Sequence, residues 1–272
     1  MKKNICAKIA AGLMAVTLLV GSFSIGVDAK TAYPFRNHYD SIDEITEICW
    51  NSYNKGEYGP IIIAKGQLTQ NNRTQDIYLV TMCGTELLEG QSTGILEDIL
   101  IGFQNENNMY TKNVVKAIKK DIPAGSNLML LGHSLGGMVA QTVAANSEIK
   151  ANYNILNTVT LGSPLIQTGQ REGIVKRLGD TSDFVPYLSV TPNLLQQVFG
   201  LNREDGGYSE GGWSIEKGWN AHNNSYIRED LWGNYDVTGV KGGNATLTLD
   251  LSSIIFEQAP AWNIMFAPYI NE

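Results

Sequence analysis

Asn127-Leu128-Met129-Leu130-Leu131 runs directly into Gly132-His133-Ser134-Leu135-Gly136-Gly137. The first five residues are a short, nearly all-apolar run, as expected of a strand buried on both faces of a parallel sheet. Residues 137–146 then read as a helix by their alanine content and spacing. Between them lies a tight turn that fits Gly-x-Ser-x-Gly in the strand-turn-helix context that gives this pattern its meaning. The reason is steric. A serine on so sharp a turn is strained, and the residues two before and two after it must lack side chains that would collide. The turn also aims the Leu135 backbone N–H toward the place where a tetrahedral oxyanion would form. Ser134 is therefore the candidate nucleophile.

Outward from this turn the chain alternates between periodicities. Ser41-Ile42-Asp43-Glu44 reads as a capping box opening a helix through about Asn51, with Ile45, Ile48 and Cys49 on its buried side. Residues 60–65 and 76–83 are apolar runs joined by a polar, Asn-rich connection, which predicts a β-hairpin. Residues 107–120 carry Val114, Val115 and Ile118 at helical core spacing, and Ile122-Pro123-Ala124-Gly125 stops that helix. A further strand at 159–162 ends in Gly162-Ser163-Pro164. The alternation predicts an α/β fold of the α/β-hydrolase type: a mostly parallel central sheet flanked by helices, preceded by an N-terminal antiparallel hairpin. Beyond residue 190 the glycine and tryptophan content obscures the pattern.

The N-terminus reads as a secretory signal. Lys2 and Lys3 precede an uncharged run over 9–27, and Val27-Asp28-Ala29 presents small residues at the positions a signal peptidase reads. Cleavage after Ala29, rather than retention as an anchor, leaves residues 30–272 as one domain. Cys6 precedes the apolar run and is not placed to carry a lipid. Loss of Lys2, Lys3, Lys8 and Asp28 takes the net charge from −7 to −9. Such acidity argues against nucleic acid and anionic lipid as partners, but not against a neutral lipid–water interface. Cys49 and Cys83 alone remain, which is no disulfide scaffold, and whether they pair stays open. A short signal and sparse cysteine use look bacterial and extracellular, which makes the acceptor-like Asn72, Asn223 and Asn244 chance matches.

A serine hydroxyl is a poor nucleophile unless a general base is in reach. The chain has three histidines. His133 lies inside the turn with its side chain directed away from Ser134, and His38 precedes the hairpin. His222 comes late, in the chain order of nucleophile, acid and base that this fold uses, and it is the base by elimination. The carboxylate must come from between them. Asp180 and Asp183, in Gly179-Asp180-Thr181-Ser182-Asp183-Phe184-Val185-Pro186, both qualify on spacing, and either can instead cap a local backbone N–H. No metal-ligand constellation and no phosphate-cradling glycine motif competes, so the chemistry calls for no cofactor and no metal.

These segments, taken in order, resemble the class 3 lipases, related to fungal triacylglycerol lipases. Cys83-Gly84-Thr85 is similar to the family's Gly-Thr oxyanion turn, and Gly132–Gly137 to its serine turn. Gly162-Ser163-Pro164 is similar to the end of its next strand, Asp183-Phe184-Val185-Pro186 to its Asp-x-Val-Pro segment, and His222 with Tyr226 to its histidine turn. The resemblance implies Ser134 as nucleophile, Asp183 rather than Asp180 as acid, His222 as base, and the N–H groups of Thr85 and Leu135 as oxyanion donors. Where the family usually has Arg before its Gly-Thr, this chain has Cys83, so whatever that Arg braces must be held otherwise.

In the family the segment after the Gly-Thr turn is a lid. Residues 86–103, with Leu87, Leu88, Ile95, Leu96, Ile99 and Leu100, fit either such a flap or an ordinary amphipathic surface helix. The Leu194–Leu201 run with Trp213 and Trp219 fits an acyl pocket or plain core. The expected activity is hydrolysis of carboxylic esters, lipid esters first, through an acyl-enzyme. Phospholipase A1 and feruloyl-type esterase are rivals within the family; a peptidase or acyltransferase shares the triad. A non-catalytic lipid- or glycan-binding protein is the rival of another class.

Overall fold

Strand β4 (Asn127–His133) alternates between two cores, which is why its sequence is apolar throughout. Leu128 and Leu130 face one buried cluster with the helices α2 (Met109–Asp121) and α3 (Leu135–Ala145). Met129 and Leu131 face the other, with α1 (Ile42–Asn51), Tyr226 and Trp232. A strand directs successive side chains to opposite faces, so burial on both demands an unbroken hydrophobic run. The structure, a computed structural model, describes residues 32–53, 59–84, 109–166, 170–187 and 215–257. The expected signal segment, Thr85, the 86–103 segment, the Leu194–Leu201 run and Trp213 lie outside the described residues.

Among the described residues the sheet has eight strands. In spatial order come β1 (His38–Tyr39), β7 (Thr246–Leu249), β2 (Ile61–Gln70), β3 (Arg73–Met82), β4, β5 (Asn154–Leu161) and β6 (Ile174–Leu178). A short strand, β8 (Ile255–Glu257), also pairs antiparallel with β2. β3 to β6 are parallel to one another; the pairings of β1, β2, β7 and β8 are antiparallel. The fold is thus α/β of the hydrolase type, with a mixed sheet whose parallel half carries the serine turn. The β2–β3 hairpin turns at Asn71 and Asn72, whose φ values of 51° and 58° put both in the left-handed region that asparagine tolerates and a tight hairpin requires.

Register decides where the chemistry can gather. Met82, Gly132, Thr160 and Arg177 lie side by side across β3, β4, β5 and β6. The loops leaving these strands therefore emerge together at one carboxyl edge, where open α/β sheets place their sites. A short helix, α4 (Ser147–Asn152), follows α3, and its N-cap Asn146 accepts from the Glu148 and Ile149 N–H groups.

The expected capping box on α1 is not formed as written. Ser41 is the N-cap, but its hydroxyl donates to Asp43 Oδ1 at 2.6 Å, while Glu44 accepts from the Asp40 N–H at 2.8 Å. Arg36 bonds the other Glu44 oxygen at 2.8 Å, which orients that carboxylate outward. Cys49 and Cys83 are buried thiols and form no disulfide. No helix among the described residues is long and apolar enough to cross a membrane.

Candidate active site

Ser134 closes β4 and caps α3 with φ 55° and ψ −123°, a conformation rarely adopted by a residue with a side chain. Such strain persists only where surrounding contacts over-determine it. Here the Ser134 N–H donates to Leu161 O at 2.9 Å, and the Gly137 N–H donates back to Ser134 O at 3.1 Å. Gly132 and Gly136 face each other across the turn at backbone contact, as the steric reading requires. The next residue, Leu135, opens α3 and is buried. Its N–H is among those a helix N-terminus leaves without an intrahelical acceptor.

His222 sits near the end of α5 (Ile215–Asn224) and is 5% exposed. Its Nε2 lies 2.9 Å from Ser134 Oγ, and its Nδ1 lies 2.9 Å from Asp183 Oδ2. A carboxylate can only accept, so Nδ1 carries the hydrogen and Nε2 is left to accept the serine proton. Asp183 is fully buried, and its charge is met on every side. Oδ1 accepts the Val185 N–H at 2.8 Å, and Oδ2 accepts the Tyr226 hydroxyl at 2.7 Å as well as the His222 N–H.

The choice between the two aspartates, open on spacing alone, is plain in space. Asp180 turns its Oδ1 to the Ser182 N–H at 2.7 Å, closing a local turn, and its carbonyl accepts the Asp183 N–H at 3.0 Å. It shapes the loop that delivers Asp183 to the histidine. Tyr226 joins the two, donating to Asp183 and accepting the Asp180 N–H at 3.0 Å. Burial, with the Asp183 charge beside it, pushes the Tyr226 hydroxyl well above its ordinary range, so it stays a fixed donor. Tyr226→Phe strands the buried Asp180 N–H and removes one partner from Asp183. Urea denaturation of this variant is expected to show a loss of about 2 kcal/mol. An unchanged midpoint would mean the bridge contributes nothing.

Of the expected oxyanion donors, Thr85 is outside the described residues and Leu135 stands beside Ser134. Gly84, the last described residue before Thr85, abuts the turn: a Cβ there would lie 2.7 Å from Ser134 Cβ. Two tyrosines hold the backbone at Cys83 and Gly84. Tyr110, from α2, donates to Cys83 O at 3.0 Å and lies 3.1 Å from Pro60 O. Tyr53, just past α1, accepts the Gly84 N–H at 2.8 Å. Neither stood out in the sequence, since a single buried tyrosine after or within an amphipathic helix carries no pattern of its own. Trp219, left open between pocket and core, is 6% exposed and packs between Phe184 and the His222 ring, at 4.9 and 5.9 Å between centroids.

Residues 101–175 match the family model described as a PGAP1-like alpha/beta domain. That match takes in β4, the serine turn, α3 and β5, and leaves Asp183 and His222 outside it. No curated protein matches the chain. Among solved structures, M37 lipase is similar at 13% identity and a TM-score of 0.35, over 69% of this chain and 85% of that one. The Lip2 lipase of Yarrowia lipolytica is similar at 14% identity and 0.31, over 65% and 71% of the two chains. The Rhizomucor miehei lipase propeptide complex is similar at 16% and 0.29, over 64% and 74%. At such identities and TM-scores, no residue role or substrate transfers from them.

Proposed function

We propose that this protein is an exported serine hydrolase of carboxylic esters, acting on lipid esters through an acyl-enzyme. The observation that carries the reading is the unbroken line Ser134 Oγ–His222 Nε2 and His222 Nδ1–Asp183 Oδ2, each 2.9 Å, at a strained strand-to-helix turn. Ser134 attacks the ester carbonyl as His222 takes its proton, and the resulting imidazolium is held by the buried Asp183 charge. The tetrahedral oxyanion is met by the Leu135 and Thr85 N–H groups. Collapse expels the alcohol, which leaves with the proton from His222. Water, deprotonated by the same histidine, then releases the acid and restores Ser134.

Export follows from the N-terminal pattern, with the hydrolase domain beginning after Ala29. The acyl preference is read by turnover of p-nitrophenyl esters from acetate to palmitate, with Ser134→Ala as control. The lipid-ester reading expects long chains to be preferred, with a rate increase above the substrate's solubility limit. Preference for acetate or feruloyl esters, or for phospholipids, would move the substrate to the rivals named above. Equal inactivity of wild type and Ser134→Ala on every ester would overturn the hydrolase reading itself.

A further inference from the structure

Resting on that reading, we infer that Tyr53 and His133 are positioning residues that couple Gly84, which abuts Ser134, to the catalytic base His222. His133 is buried, at 1% exposed, with its ring 4.4 Å from Trp50 and 4.5 Å from His222 between centroids. Its Nε2 lies 2.9 Å from the His222 backbone oxygen, and its Nδ1 lies 2.5 Å from Tyr53 Oη. The carbonyl can only accept, which assigns the hydrogen to His133 Nε2. In the neutral ring Nδ1 then accepts the Tyr53 hydroxyl proton, and Tyr53 Oη in turn accepts the Gly84 N–H. One chain of three hydrogen bonds thus runs from Gly84, beside Thr85, through Tyr53 and His133 to the backbone of His222.

Both ends of the chain fall on backbone groups that secondary structure leaves unpaired. The His222 oxygen is in the last turn of α5, where carbonyls have no intrahelical donor, and Gly84 has left β3. The chain thereby ties Gly84, which abuts Ser134, and the backbone of the base His222 to one rigid pair of rings. Both side chains are buried. Their effect is on the distance between groups that must act together, and a misplacement of about 1 Å is enough to cost up to a hundredfold in rate.

Tyr53→Phe removes the hydroxyl and keeps the ring. His133→Asn keeps an acceptor for Tyr53 and loses the donor to His222. His133→Gln restores a donor at about the Nε2 distance. Steady-state hydrolysis of p-nitrophenyl butyrate is measured per active site, counted by titration with a fluorophosphonate. A merely structural role lowers the number of titratable sites and leaves kcat per site unchanged. The coupling expects kcat per site to fall about ten- to a hundredfold in Tyr53→Phe and His133→Asn, with KM within about threefold and partial recovery in His133→Gln. The double variant Tyr53→Phe/His133→Asn should lose no more than the worse single, because both break one chain. Unchanged kcat per site in both singles, or losses that multiply in the double, would overturn the coupling. A wild type that hydrolyses no ester and takes up no phosphonate would instead overturn the hydrolase reading, and the coupling with it.

Discussion

Ser134→Ala is expected to lower ester turnover by about 10⁵-fold while leaving the urea midpoint at or slightly above that of the wild type. Nothing else within the described residues is aimed at the same point with a base behind it. His222→Ala should lose a comparable amount, because the nucleophile and its base act as a unit and their losses do not add. Asp183→Asn is expected to lose about a thousandfold or more. Three donors converge on Asp183, from Val185, Tyr226 and His222. An amide has one accepting oxygen, so its nitrogen must face a donor or force His222 into the other tautomer, with Nε2 carrying the hydrogen. Turnover of p-nitrophenyl butyrate and far-UV circular dichroism of the three variants check this. Wild-type rates in Asp183→Asn would remove the carboxylate from the mechanism.

The second large effect is on stability. A Cβ at Gly136 would lie 2.1 Å from Met82 O and 2.5 Å from Cys83 O, both backbone atoms of the neighbouring strand end. Neither can move without dragging the turn that leads to Thr85. Gly136→Ala is therefore expected to cost about 3 kcal/mol or more, or to leave the protein insoluble. Gly179→Ala is the control. Its nearest neighbour would be a Pro186 ring carbon at 3.5 Å, an ordinary contact, and its unfolding free energy should stay within about 0.5 kcal/mol of wild type. If the two variants unfolded alike, the close approach of α3 to β3 would not be what demands glycine.

Residues 127–137 were legible because three independent constraints fall on adjacent positions there: burial on both faces, a turn with no room, and a helix start. The fold class followed from them. The sheet's antiparallel side was harder to read. β7 and β8 are four and three residues long, and they lie on the same edge of β2 one after the other. Segments so short carry too few alternations to register as strands. The capping box failed for a related reason. Asp40, Asp43 and Glu44 offered several acceptors within one turn, and the structure distributes them differently from the motif.

In the site, elimination reached His222 because histidines are scarce. It could not reach Asp183 over Asp180, three residues apart in one turn with the same chemistry. What separates them is the direction each carboxylate faces, and that depends on Tyr226 and the end of α5, more than 40 residues away. The tyrosines that hold the backbone at Cys83 and Gly84 were invisible for the same reason. Tyr53 meets His133 across 80 residues of sequence, and only the packing of α1 against the sheet brings them together.

The central claim is that Ser134 is a nucleophile because His222 makes it one. It is tested most directly by intact-mass and peptide mapping after brief exposure to a fluorophosphonate, which reports the activated serine whatever the natural ester. One adduct per chain is expected, on Ser134, absent in Ser134→Ala and formed at least about a thousandfold more slowly in His222→Ala. No adduct on Ser134, or equal rates in wild type and His222→Ala, would contradict it.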